Sequence, residues 1–191
     1  MIIIKRCTLW LIGILCLITN TQASATLIDL NTLSANVSGA VAISGDGLSA
    51  TFYEDPIYSP VALWTPGLPV PADSESLSFD YELVVAIDNS DYFDFYLGDL
   101  SSPIFSVGGT AGASNPLIFS GTYTADVSSY ADSTLPLAFS LIYDWGDAGL
   151  DSTLTISNLE IVERSVPEPA TLMLLAVGLF CITLLASRRV H

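Results

Sequence analysis

The sequence predicts an all-β domain, a two-sheet sandwich of jelly-roll type, set between an N-terminal signal helix and a C-terminal transmembrane helix. Three observations predict it. Apolar and polar residues alternate with period two in several stretches, Leu77 to Val85 being the clearest. Gly, Pro, Asn and Asp punctuate those stretches at short intervals. The two long unbroken apolar runs of the chain stand at its ends, outside the alternating region.

The N-terminal end has the parts of an export signal. Lys5 and Arg6 precede the apolar run Cys7 to Ile18, and Ala23-Ser24-Ala25 supplies a small-residue cleavage site. Residues 1–25 are therefore expected to be a signal peptide, cut after Ala25, with Ala23 and Ala25 as the small residues of the site.

The domain of 26–165 follows. Gly45-Asp46-Gly47 separates the apolar runs Ala40–Ile43 and Leu48–Phe52 and reads as a hairpin turn. Pro56, Pro60, Pro66, Pro69 and Pro71 read as a long irregular connection. Leu77, Phe79, Tyr81, Leu83 and Val85 alternate with Ser76, Ser78, Asp80 and Glu82, which makes a half-buried strand. Phe93, Phe95 and Leu97 alternate with Tyr92, Asp94 and Tyr96 in the next one. Ile104 to Val107 is short, Gly108 to Pro116 is a Gly-Ser loop, and Leu117 to Val127 holds one or two strand pieces. Leu137, Phe139, Leu141 and Tyr143 mark a further strand. In the last strand Leu154 and Ile156 share one phase and Leu159 and Ile161 the other, so a β-bulge is expected at Ser157-Asn158. The total is eight or nine strands.

Composition excludes several functions. The 191-residue chain has 20 acidic and 5 basic residues. Four of the bases lie in the end segments, and no Lys, Arg or His occurs from Thr26 to Glu163. Phosphate neutralisation needs cations, so nucleic acid is not an expected partner. Cys7, Cys16 and Cys181 all lie in the apolar ends, and His191 is the one histidine. Ser-His-Asp and Cys-His catalysis are thus closed to the domain, as is His- or Cys-ligated zinc. The acidity itself suits a soluble exported protein.

Two acidic groups remain as candidates. Asp144, Asp147 and Asp151 share a Gly-containing loop; a solvated turn is the first account of them, since turns use Asp and Gly, and calcium, which oxygen-only ligands on such a loop suit, is the alternative. Asp88, Asn89, Asp91, Asp94 and Asp99 surround a turn and a strand. Asp94 is expected to share an outward sheet face with Asp80 and Glu82, beside Tyr92 and Tyr96. Rings that stack on a sugar and carboxylates that accept from its hydroxyls would make such a face a glycan surface; a plain solvated face is the alternative. Trp64 is expected as a core plug, with a binding platform as its alternative, and Trp145 on the acidic loop as exposed. A glycoside hydrolase needs two carboxylates about 5–10 Å apart across a cleft, and the sequence places no such pair.

At the C-terminal end, Val166-Pro167-Glu168-Pro169 leads into residues 170–186, which carry no charge. These 17 residues span about 25 Å as a helix, near the short limit for crossing a bilayer. Arg188 and Arg189 follow as a basic stop that stays cytoplasmic, leaving the domain outside.

The order Pro167-Glu168-Pro169, apolar helix, Arg188-Arg189 resembles the PEP-CTERM sorting signal of Gram-negative bacteria, here over 166–191. The resemblance implies recognition at the inner membrane by exosortase, a membrane-embedded cysteine protease-like transpeptidase, and cleavage near the Pro-Glu-Pro. It further implies a non-enzymatic surface or matrix protein in a system linked to exopolysaccharide and biofilm. The strand layout is also similar to the sandwich domains commonly carried by such proteins, which resemble carbohydrate-binding modules. Binding of extracellular polysaccharide is therefore a second expectation, and a carboxylate-based glycoside hydrolase a third.

Overall fold

The computed structural model describes residues 24–55, 57–85, 91–109, 116–143 and 152–164. Residues 1–23 of the expected signal peptide 1–25, the loop holding Asp144, Asp147 and Asp151, and the C-terminal segment from residue 165 lie outside the described residues, as does Trp145.

The described residues form eleven strands, against the eight or nine expected, and two short 3-10 turns. The strands are β1 Ala25–Leu27, β2 Ser34–Ala35, β3 Val41–Ile43, β4 Ser49–Tyr53, β5 Val61–Val70, β6 Ser74–Val85, β7 Tyr92–Leu97, β8 Phe105–Gly108, β9 Leu117–Asp126, β10 Ser133–Ile142 and β11 Thr153–Glu163. They pair antiparallel in two sheets. One sheet runs β3-β4-β11-β6-β9, with β1 also on β11; the other runs β2-β5-β10-β7-β8. Setting aside the short β1 to β3, the eight remaining strands interleave as first-eighth-third-sixth and second-seventh-fourth-fifth. That interleaving is a jelly-roll connectivity. Among β4 to β11 only β7 and β8 are sequence neighbours within one sheet, as β3 and β4 are before them, so most connections cross the sandwich.

The core is aromatic at its centre. Phe79 of the first sheet meets Phe95 and Phe139 of the second with ring centroids 4.7 and 5.1 Å apart. Phe95 and Phe139 are a direct cross-strand pair, stacked at 5.1 Å. Such pairs add roughly 0.5–1.5 kcal/mol beyond the area they bury. The alternation in β6 holds: Leu77, Phe79, Leu83 and Val85 are buried while Glu75 and Glu82 are exposed.

The expected bulge is present. Ser157 pairs with Asp80 but Glu160 pairs with Ser78, and Asn158 takes φ 53°. The extra residue brings both Ile156 and Leu159 to the core side. It also marks where β11 changes partner along one edge, from β4 to β1: Asn158 N–H donates to Leu48 O, and Ile28 N–H donates to Leu159 O.

The long irregular connection of 56–71 is corrected. Val61–Val70 is a ten-residue strand despite Pro66 and Pro69. Thr65 pairs with Leu137 and Leu68 with Leu135, so Pro66 and Gly67 bulge opposite Pro136. On its other side β5 is covered by β2 only at Leu63 and Trp64. The prolines therefore fall at a bulge and along an open edge, where a missing N–H breaks no ladder bond.

Candidate functional site

Direct antiparallel partners share a face, so the register defines the outer surface of the β5-β10-β7-β8 sheet. Leu63, Phe95, Leu137, Phe139 and Leu141 point inward and are buried. Their neighbours point outward. Ser34, Trp64, Ala138 and Tyr96 form one row across the strands. Ala62, Ser140, Asp94 and Ser106 form the next, and Ile142, Tyr92 and Gly108 the third. Trp64 and Tyr96 stand two strands apart, about 10 Å at the usual strand spacing. Between them Ala138 and Ser140 give a floor of small side chains. Trp64 is 37% exposed, so it is a surface ring and the core plug is corrected. The reason is the register: Leu63 occupies the inward position beside it.

Asp94 is the polar centre of this face. Tyr96 Oη donates to its Oδ2 at 3.1 Å. Its Oδ1 is sealed from solvent without a hydrogen-bond partner. Burial, the Asp94 charge and its hydrogen bond push the Tyr96 phenol up to about 12.

The expected grouping of Asp94, Tyr92 and Tyr96 with Asp80 and Glu82 is corrected. Asp80 and Glu82 lie on β6, in the other sheet, and face outward from it. The inward faces of β6 and β7 meet through Phe79, Phe93 and Phe95, so their outward faces lie on opposite sides of the sandwich. Asp80 and Glu82 instead border a shallow groove of about 440 Å³ with Tyr81, Ser120, Thr122 and Ser157. Thr122 Oγ1 donates to Asp80 Oδ1 at 2.5 Å and Asn158 Nδ2 to Oδ2 at 2.8 Å. These bonds hold the Asp80 carboxyl below its ordinary value, Thr122 contributing most. A downward shift suits an anion and disfavours a proton donor.

A third polar group was not legible as a cluster in the sequence. At the end of the sandwich where β4 stops and β7 and β11 begin, Glu54, Asp91 and Ser152 are all buried. Of the other acids singled out with Asp91, Asp99 is exposed and caps its own turn through Ser101, and Asp88 and Asn89 lie outside the described residues. Tyr143, just past β10, caps the same end. Its hydroxyl accepts from Asp55 N–H at 3.1 Å and donates toward the carbonyls of Asp55 and Tyr58. Burial first, then the charges of Asp55, Glu54 and Asp91, raise the Tyr143 phenol; the Asp55 backbone contact opposes them.

Among known protein families, the tail of the chain matches the model described as the PEP-CTERM protein-sorting motif. The chain carries that motif over residues 165–189. The matched span contains Pro167, Glu168, Pro169, Arg188 and Arg189. A PEP-CTERM motif implies an exported protein, anchored transiently in the membrane and processed by an exosortase-type enzyme. Among the described residues no helix is long and apolar enough to cross a membrane; 170–186 lies outside them.

No curated protein matches this chain. Its described domain is similar to solved carbohydrate-binding modules. One is the C-terminal CBM6 of LamC, a marine laminarinase from Zobellia galactanivorans, at 14% identity and TM-score 0.37, covering 74% of this chain and 100% of that one. Another is TmCBM27, described for specific mannan recognition, at 10% identity and TM-score 0.43, covering 74% and 96%. A third is CBM27-1 of Caldicellulosiruptor saccharolyticus in complex with mannohexaose, at 8% identity and TM-score 0.40, covering 73% and 97%.

Proposed function

We propose that this chain is a non-enzymatic protein of the cell surface or extracellular matrix, delivered by its two end segments in a system tied to exopolysaccharide. The signal peptide 1–25 starts export across the inner membrane. Helix 170–186 holds the domain of 26–165 on the outer side, with Arg188 and Arg189 as the cytoplasmic stop. An exosortase-type enzyme then cuts near Pro167-Glu168-Pro169. The observation that carries this reading is the sorting motif at 165–189, in the order motif, apolar run, basic end. Intact mass and C-terminal peptide mapping of the protein from its native host test it. A C-terminus near Pro167, lost when Pro167→Ala and Glu168→Ala are combined, supports the reading. An unprocessed tail in the parent protein overturns it.

A second reading rests on the outer face of the β5-β10-β7-β8 sheet. Trp64 and Tyr96 flank a floor of Ala138 and Ser140, and Asp94 holds the Tyr96 ring in place by accepting from its hydroxyl. Flat rings about 10 Å apart suit the apolar faces of sugar units. In this reading the domain binds a matrix polysaccharide without cleaving it. Affinity electrophoresis through the host's exopolysaccharide tests this. Retardation that Trp64→Ala abolishes supports it; equal mobility with and without the polysaccharide overturns it. Sugar release, abolished by a single carboxylate-to-amide change, would support a hydrolase instead.

A further inference from the structure

We propose that Glu54, Asp91 and Ser152 form a binding site for a hard divalent cation of the calcium class, which ties the two sheets together at one end of the sandwich.

The three residues come from distant parts of the chain. Glu54 follows β4, Ser152 precedes β11, and Asp91 precedes β7 in the opposite sheet. All are inaccessible: Asp91 is 0% exposed, Ser152 1% and Glu54 7%. Ser152 serves both carboxylates. Its backbone N–H donates to Glu54 Oε1 at 3.2 Å, and its Oγ–H donates to Asp91 Oδ2 at 2.6 Å. Asp91 Oδ1 is left buried with no hydrogen-bond partner. A buried carboxylate oxygen in that state is costly unless a proton or a cation meets it.

The sequence supplies no cation of its own. No Lys, Arg or His occurs from Thr26 to Glu163, and Arg164 follows the far end of β11 while Ser152 precedes its start. The available donors are carboxylate and hydroxyl oxygens, with carbonyls nearby such as that of Asp91, which accepts from Gly109 N–H at 3.0 Å. An all-oxygen set selects calcium over zinc or copper. Calcium takes six to eight oxygens in adaptable geometry, so two carboxylates leave places for carbonyls and water. Among the described residues no group of three acidic, His or Cys side chains gathers, so the side chains here supply two carboxylates and one hydroxyl. Sites in extracellular modules bind calcium at about 0.1–1 mM.

The full chain, purified in detergent and stripped with EDTA, is titrated with calcium chloride by calorimetry and melted with and without calcium. The expected result is one saturable site near that affinity and a higher Tm with calcium. Asp91→Asn should weaken binding at least tenfold, while Asp80→Asn, on the outer face of β6, should leave it unchanged. Absence of saturable calcium binding by the parent protein overturns the proposal. Unchanged affinity in Asp91→Asn overturns it too, because the calcium would then sit on other acids of the chain. If Asp91→Asn lacks the parent's strand spectrum by circular dichroism, Glu54→Gln is judged by the same criterion. A parent Tm that ignores calcium but rises as pH falls from 7 to 5 assigns the relief of charge to a proton and rejects the cation.

Discussion

Asn158 reaches across from β11 to Asp80 on β6, its Nδ2 donating to Asp80 Oδ2 at 2.8 Å. The bond exists because the bulge gives Asn158 φ 53°, a left-handed conformation that Asn tolerates and β-branched residues do not. Asn158→Gly keeps that conformation and loses one solvated hydrogen bond. Asn158→Val loses both, at about 1–3 kcal/mol. Urea midpoints should rank parent, then Gly, then Val. A Val variant as stable as the Gly variant would mean that the bulge relaxes freely.

The same contact carries a pH dependence. Asp80 is held below its ordinary value of 3.8 by Thr122 first and Asn158 second. A carboxyl depressed in the folded state contributes stability above the unfolded value, and loses it as pH falls through the lower folded value. Asp80→Asn should therefore lower Tm slightly at pH 7, with the gap closing below pH 3.8. The effect is small because the carboxylate is solvated. Tm measured for both proteins at pH 7 and at pH 3 checks it, and a gap that widens in acid contradicts it.

Gly47 sits against Asp29. A β-carbon built on Gly47 would fall 1.9 Å from Asp29 Oδ1, and Gly47 has φ 72°. Asp29 cannot yield without cost, since Oδ1 accepts from Asn31 N–H at 2.9 Å and caps the first 3-10 turn. Gly47→Ala should cost about 1–3 kcal/mol. Gly45→Ala, two residues away with nothing within 4 Å of its added carbon, should be nearly neutral. Thermal melts of the two variants make the comparison, and equal Tm values would contradict the close approach.

Phe79 joins the two sheets at their aromatic centre and is 1% exposed. Phe79→Ala should cost about 3–5 kcal/mol, from lost burial and the cavity left between Phe95 and Phe139. Chemical denaturation followed by circular dichroism reads it. A cost under about 1 kcal/mol would show that the sheets close over the gap.

Tyr96 should ionise well above the ordinary tyrosine value of 10. Its phenol is raised to about 12, first by burial and then by Asp94. A group raised in the folded state contributes stability below its unfolded value near 10, and loses it as pH climbs to the folded one. Tyrosinate absorbance should show a late step that Tyr96→Phe removes and Asp94→Asn moves to lower pH. A late step that survives Tyr96→Phe belongs to another tyrosine.

Alternation by itself determined most of the inward face. Leu77, Phe79, Phe93, Phe95, Phe139 and Leu141 were legible as core from period two, and the change of phase between Ile156 and Leu159 located the bulge. The order of Pro167-Glu168-Pro169, apolar run and Arg188-Arg189 was legible as a sorting motif because such a signal is contiguous in the chain. The Pro-rich stretch was misread because proline forbids a central strand. Only pairing shows that Pro66 lies at a bulge and that β2 leaves the edge beside Pro69 open. Tertiary structure also separated Asp80 from Asp94 and gathered Glu54, Asp91 and Ser152. The reason is that alternation is a property of one strand and tells inside from outside. Which sheet a strand joins, and which ends meet, is set by pairings between residues as far apart as Glu54 and Ser152, 98 positions in the chain.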